Sequence, residues 1–191
     1  MFNSNNSCGY WWFNETDKKG NITYGIAKSE EVSDDGLGRT YKLRKDAKWD
    51  NGDPVTAHDF VYAWYRIFKN KGNYYYMFAD GIASIQGAQE LSDKIDAGEE
   101  LTDDDLNSMG VKALDGYTLE VKTTVRVSFL DELLAFPPFY PINEKFAEKQ
   151  GSKYGKSAKT ILGNGAFKMI NLEPGSVAEF KKMKTIMIKN M

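Results

Sequence analysis

The single histidine of the chain, His58, stands directly before Asp59, and an imidazole next to a carboxylate is the raw material of a hydrolytic dyad. Neighbouring helix residues project about 100° apart, however, so Asp59 would not orient that ring. No Ser or Cys lies at a recognisable nucleophile spacing, and both residues read as first-turn polar groups, Asp59 favoured by the positive end of the helix dipole. Asp103-Asp104-Asp105 offers three carboxylates. A calcium loop alternates its ligands and needs a central Gly and a distal Glu, so consecutive acids read instead as a solvated helix start. One Cys, Cys8, cannot close an internal disulfide, and with one His it cannot build a Cys/His zinc site. Gly163-Asn164-Gly165 has the spacing of neither glycine-rich phosphate-binding motif and reads as a tight backbone turn. The expectation is a protein without catalytic residues, metal ligands or cofactor.

Two aromatic segments remain. Tyr74-Tyr75-Tyr76-Met77-Phe78 presents large, rigid rings with polar tips, which suits contact with a peptide or sugar. Taken on the residues alone, packing of alternate members against the preceding helix is the stronger reading. Pro137-Pro138-Phe139-Tyr140-Pro141 could serve as a polyproline ligand, but its apolar flanks favour a buried connection.

The elements that must position these residues are legible as patterns. The chain has 191 residues, 41% hydrophobic and 14% aromatic, with 25 Lys plus Arg against 27 Asp plus Glu. That length suits one domain, or one and part of another. A net charge of -2 supplies no field to hold a nucleic acid or an anionic membrane, and no apolar run reaches the ~18 residues of a membrane span. From Ile22 to about Arg44 the pattern is extended, with a turn at Asp34-Asp35-Gly36 and alternation through Thr40, Tyr41 and Leu43. Asp50-Asn51-Gly52-Asp53-Pro54 concentrates turn formers. Thr56 and Asp59 then have capping-box spacing, and Phe60, Val61, Trp64, Ile67 and Phe68 form one helical stripe over about 13 residues. Helices are expected over Ile82–Ala97, ended by Gly98, from Thr102 to Gly110, and from Asn143 to about Gln150. A hairpin is expected over Lys112–Lys122, turning at Asp115-Gly116, and a last strand over Ala166–Leu172.

Residues 41 to 64, YKLRKDAKWDNGDPVTAHDFVYAW, closely resemble the signature region of extracellular solute-binding proteins of the oligopeptide and dipeptide class, the OppA-like receptors of ABC importers. The register holds Leu43-Arg44, Lys48-Trp49, Asn51-Gly52, Pro54-Val55-Thr56 and Asp59-Phe60 together. It extends to GIAKSEEVSDDGL before and to GVKALDGYTLEVK, LLAFPPFYPINEKF and GNGAFKMINLEPGS after, roughly residues 18 to 180. The resemblance implies an α/β fold (α+β, mixed sheet) of the type II periplasmic-binding-protein kind. It also implies a division into residues 1–41, part of a first lobe; 42–161, an extra α/β subdomain; and 162–191, a return into the first lobe. The family's second lobe has no counterpart here.

The implied function is capture of oligopeptides between two lobes for an ABC permease, by a piece of the receptor whose own binding is impaired. Peptide is the expected ligand; nickel complexes, sugars and the ligands of other branches of the class stay open, because the lobe that discriminates among them has no counterpart here. Implied ligand contacts are Tyr74 or Tyr76, matching a Tyr-x-Tyr-Met element, and Asn164-Gly165, where the chain re-enters the first lobe. An isolated α/β subdomain acting as a protein-interaction module is the alternative. Tyr24, Gly38-Arg39 and Arg126 depart from the family pattern. The family is exported or lipid-anchored, whereas the start MFNSNNSCGYWWF has no signal-peptide pattern and would by itself imply the cytoplasm. Residues 181–191 and the segment before Asp17 depart completely. Back-translated with A/T-rich codons and shifted in frame, both give family-like residues, so both ends are expected to be frameshift products. The nucleotide sequence tests this: alternative frames should encode family-like continuations at both ends, and their absence refutes it.

Overall fold

Alternation through β4, Gly38–Leu43, sends Tyr41 and Leu43 into the interior and Lys42 out to solvent. A computed structural model describes residues 14–16, 22–165, 167–173 and 175–182. Of the atypical stretches before Asp17 and over 181–191, residues 1–13 and 183–191 lie outside the described residues. β1 (Asn14–Thr16) pairs with β2 (Ile22–Tyr24), and β3 (Ala27–Val32) folds back on β4 through the expected turn, where Gly36 has φ 72°.

β5 (Val111–Asp115) and β6 (Thr118–Lys122) complete a four-stranded antiparallel sheet in the order β3-β4-β6-β5. Residues 41 and 42 are consecutive in β4, so this sheet runs across the first expected division. One face is apolar, with Tyr41, Leu119, Val121 and Val111 buried; the other carries Thr40, Lys42, Glu120 and Lys122, as expected of an antiparallel sheet with one solvated side. The β5–β6 turn is Gly116-Tyr117, one residue later than expected. Asp115 instead ends the strand, its carboxylate accepting from the Tyr117 N–H (2.7 Å) and the Thr118 hydroxyl (2.8 Å).

The helical stripe forms α1, Ala57–Lys69, which packs against β5 and buries Phe60, Ala63, Trp64 and Phe68. Around Trp64 and Phe78 lies an aromatic cluster: Trp64–Phe78 centroids are 5.2 Å apart, Phe68–Phe78 5.5 Å and Phe78–Phe139 4.5 Å. Each such pair contributes about 0.5–1.5 kcal/mol beyond its buried area. Phe139, in a single 3-10 turn Pro137–Phe139, and Pro141 are buried while Pro137 is exposed, so the proline-rich segment is a connection buried only in part.

The next helix departs from expectation: α2 is Ala88–Asp96, not Ile82–Ala97. Ser84 (φ 48°) and Gly87 (φ 77°) adopt left-handed backbone that breaks a helix, while Ile85 bridges to Thr123 at the sheet. Gly98 ends α2 as expected, at φ 80°. In α3, Asp103–Asn107, the Thr102 hydroxyl accepts from the Asp105 N–H and the Asp105 carboxylate reaches back to the Thr102 N–H. Gly110 does not close α3, whose cap is Ser108. Two short helices, α4 (Leu130–Leu133) and α5 (Glu144–Gln150), follow, with Asn143 accepting from the Phe146 N–H at 2.8 Å.

The final expected strand is β7, Phe167–Glu173; it pairs with β8, Val177–Lys182, which sequence reasoning did not foresee.

Arg39, one of the departures from the family pattern, joins β4 to β3, to α4 and to the segment before it. It donates to Glu30 (2.7 Å), Asp131 (3.1 Å) and the Val127 carbonyl (2.9 Å), while the Tyr41 hydroxyl donates to Asp131 at 2.9 Å. Burial, together with the nearby Asp131, pushes the Glu30 carboxyl above its ordinary range against the pull of Arg39.

Gly110 is a glycine for steric reasons. A Cβ there would stand 2.5 Å from the Lys122 carbonyl oxygen and 2.8 Å from the Gln86 Cβ, whereas a Cβ on Gly116 would meet nothing. Gly110→Ala should therefore lower stability by about 1–3 kcal/mol, and Gly116→Ala should change it by less than about 0.5 kcal/mol, as read by urea denaturation. Equal effects would contradict this packing.

Candidate ligand-binding surface

The signature segment builds its geometry around one buried carboxylate. Its turn is pinned by Trp49 N–H to Asp53 O and Gly52 N–H to Trp49 O, both 2.8 Å, with Gly52 at φ 91°. Trp49, at 1% exposure, then directs its indole N–H to Asp59 Oδ2 at 3.3 Å. The same oxygen accepts from the Thr56 N–H (2.7 Å) and the Thr56 hydroxyl (3.1 Å), closing the box at the head of α1. Asp59 also accepts from the Glu144 backbone, and its carbonyl takes the Ile142 N–H at 3.1 Å. Its role is larger than the dipole partner expected from sequence: it joins the turn, α1 and the approach to α5. Burial raises its carboxyl above the usual range, against these hydrogen bonds. His58 is exposed.

Beyond the other end of α1, Gly72 N–H returns to Ile67 O (2.9 Å), and a single 3-10 turn follows, Tyr75–Phe78. Its alternation separates two roles. Phe78 is fully buried; Tyr75 lies 6.2 Å from the Phe68 ring and donates its hydroxyl to Asp96. Tyr74 and Tyr76 face solvent at 56% and 51% exposure. The packing reading thus holds for Tyr75 and Phe78, while Tyr74 and Tyr76 are left on the surface.

Asn164 and Gly165 lie by the signature turn. Asp50 N–H donates to Gly163 O (2.8 Å) and Gly163 N–H to Asp50 Oδ2 (3.1 Å), a two-bond clasp that sequence reasoning missed. Burial raises the Asp50 carboxyl, with the Gly163 N–H and Lys168 opposing. Asn164 is 6% exposed and Gly165 half-buried. The tyrosines and the Asn164-Gly165 turn therefore flank opposite ends of α1, a 13-residue helix about 20 Å long. Among the described residues no group of His, Cys, Asp and Glu could hold a metal ion, and no helix is long and apolar enough to cross a membrane.

Residues 21–185 match the model of bacterial extracellular solute-binding proteins, family 5 Middle, and the chain belongs to this family. The family is one of solute-binding proteins of transporters, not of enzymes. The dipeptide-binding protein of Lactococcus lactis is 35% identical over 151 residues, 79% of this chain and 26% of that protein. The periplasmic oligopeptide-binding protein OppA of Haemophilus influenzae is 35% identical over 167 residues, 87% of this chain and 29% of that protein. Its structure in complex with RPPGFSPFR aligns at TM-score 0.77, covering 91% of this chain and 32% of that one. The substrate-binding domain of a Bacillus anthracis oligopeptide ABC transporter aligns at TM-score 0.80 and 35% identity, covering 91% and 32%. The expected fold class is thereby borne out, and the chain spans between about a quarter and a third of these relatives' length.

Replacing Asp59 tests the hub. Asp59→Ala strands the donors of Trp49 and Thr56 and should lower stability by about 1–3 kcal/mol or more; Asp59→Asn should lower it less. A carboxyl whose pKa is raised on folding contributes stability that is complete below the unfolded value, 3.8, and is lost as pH rises through the folded value. The stability gap between wild type and Asp59→Asn should accordingly narrow as pH climbs from below 3.8 toward neutrality. Denaturation across that range checks it; a gap that widens contradicts the assignment.

Proposed function

We propose that this chain is part of an oligopeptide-binding receptor of an ABC importer. The observation that carries this reading is the alignment of 91% of the chain on peptide-receptor structures, joined to a surface that leaves Tyr74 and Tyr76 open. Peptide capture of this kind needs no catalytic group. Tyrosine rings offer broad contact at small cost in conformational entropy, and the Asn164-Gly165 turn brings backbone close to an extended chain. Affinity arises when a second lobe closes over the peptide and removes it from water, so the present residues supply one side of the contact. Within this reading residues 1–41 and 162–191 belong to the first lobe and 42–161 form the extra subdomain. The permease is the partner of the closed form, and the site of action is outside the cytoplasmic membrane.

A second reading, a protein-interaction module, draws on Val125, Phe129 and Phe136, each about half exposed. Stable self-association of the purified chain in sedimentation, without affinity for peptides, would favour it.

The direct test grafts residues 22–182 in place of the aligned region of the Bacillus anthracis relative and titrates a nonapeptide by calorimetry. The graft should bind, and Tyr74→Ala with Tyr76→Ala should weaken binding at least about tenfold. A folded graft that binds no peptide, or one indifferent to both substitutions, overturns the proposal.

A further inference from the structure

A groove of about 820 Å³ lies away from both tyrosines, where the start of β3, the end of β4 and the β5–β6 turn meet. Lys28, Lys42, Arg44 and Lys45 line it, against Asp46 and Asp115. Of the acids, Asp115 accepts from the Tyr117 N–H and the Thr118 hydroxyl of its own hairpin, and these bonds, with a smaller pull from Lys42, hold its carboxyl below the ordinary range. None of the basic residues has a carboxylate within ion-pair distance among the described residues. Instead Lys42 donates to the Thr118 hydroxyl (3.0 Å), Arg44 Nε to the Gly25 carbonyl (2.9 Å), and Lys45 sits 5.7 Å from the Tyr117 ring centroid. Four cations thus converge on one concavity of a chain whose net charge is -2.

We propose that this groove docks an acidic segment of a partner protein. The volume is that of a cleft able to seat several residues. Three of the four cations are lysines, point charges spread along the groove, and the Arg44 fork is partly engaged by Gly25. That arrangement matches carboxylates spaced along a chain better than one compact phosphate, which would call for a bidentate fork or a cluster of backbone N–H groups. The Tyr117 ring adds an apolar wall beside the charges.

The test measures fluorescence anisotropy of a labelled hexaglutamate peptide with the full chain. Binding should weaken at least about tenfold between about 50 mM and about 300 mM salt. The pair Lys28→Glu and Lys45→Glu, both at exposed positions, should reduce it at least about tenfold while circular dichroism stays unchanged. Tyr74→Ala with Tyr76→Ala should leave it intact, which separates this groove from the peptide contact proposed above. Loss on the tyrosine substitutions, equal competition by pyrophosphate, salt-dependent self-association that excludes the peptide, or no binding each overturns the proposal. The first assigns the peptide to the tyrosine surface, the second the groove to small anions, and the third the groove to a second copy of the chain.

Discussion

The buried carboxylate of Asp59 is the constraint on which the rest of the molecule depends. Removing a charge from water is costly, and Asp59 is 7% exposed, so it is tolerated only because several donors converge on it. Two of those donors are near in sequence and one is distant: the Trp49 indole comes from the turn, the Thr56 groups from the head of α1, and Glu144 from the start of α5. Satisfying one side chain therefore fixes the direction of α1 relative to both neighbours. Once α1 is set, Trp64 and Phe68 meet Phe78, and Phe78 meets Phe139, so the aromatic cluster and the solvent-facing tyrosines follow from the same anchor.

A division of labour results. The antiparallel sheet and α1 pack on one apolar core, and both proposed contact surfaces lie at its margins. Tyr74 precedes and Tyr76 lies within a 3-10 turn held by Phe78, while the Asn164-Gly165 turn is clasped through Gly163 to Asp50. The basic groove forms where strand ends meet a two-residue turn. Rigid support with exposed connections is the usual way for a scaffold to present contacts without giving up core packing.

Local signals were the most legible in sequence. The cap at Thr56, the α1 stripe, the Thr102 cap and the β5–β6 hairpin all depend on contacts within a few residues, and all are present. Long-range effects were hidden. The helix expected from Ile82 starts late because Ile85 is drawn to Thr123 across the sheet and Gly87 adopts φ 77°, and neither is visible in a helical window. Asp59 was readable as a cap, yet its link to Trp49 and Glu144 requires the fold. Arg39 looked like a mere departure from pattern, but it serves a partner 92 positions away, Asp131. As for the candidate contacts, alternation within Tyr74–Phe78 could have separated packed from exposed rings, whereas the Asp50–Gly163 clasp carried no sequence signal.

Native-state hydrogen exchange addresses the anchor directly. The Trp49 indole N–H and the Thr56 and Ile142 amides should exchange with the same opening free energy as the Phe60 and Trp64 amides in α1, because all are released only when the whole core opens. Exchange of the Trp49 and Thr56 protons about a hundredfold or more faster than the α1 core would show that the turn opens by itself. In that case Asp59 would not be what holds the structure together.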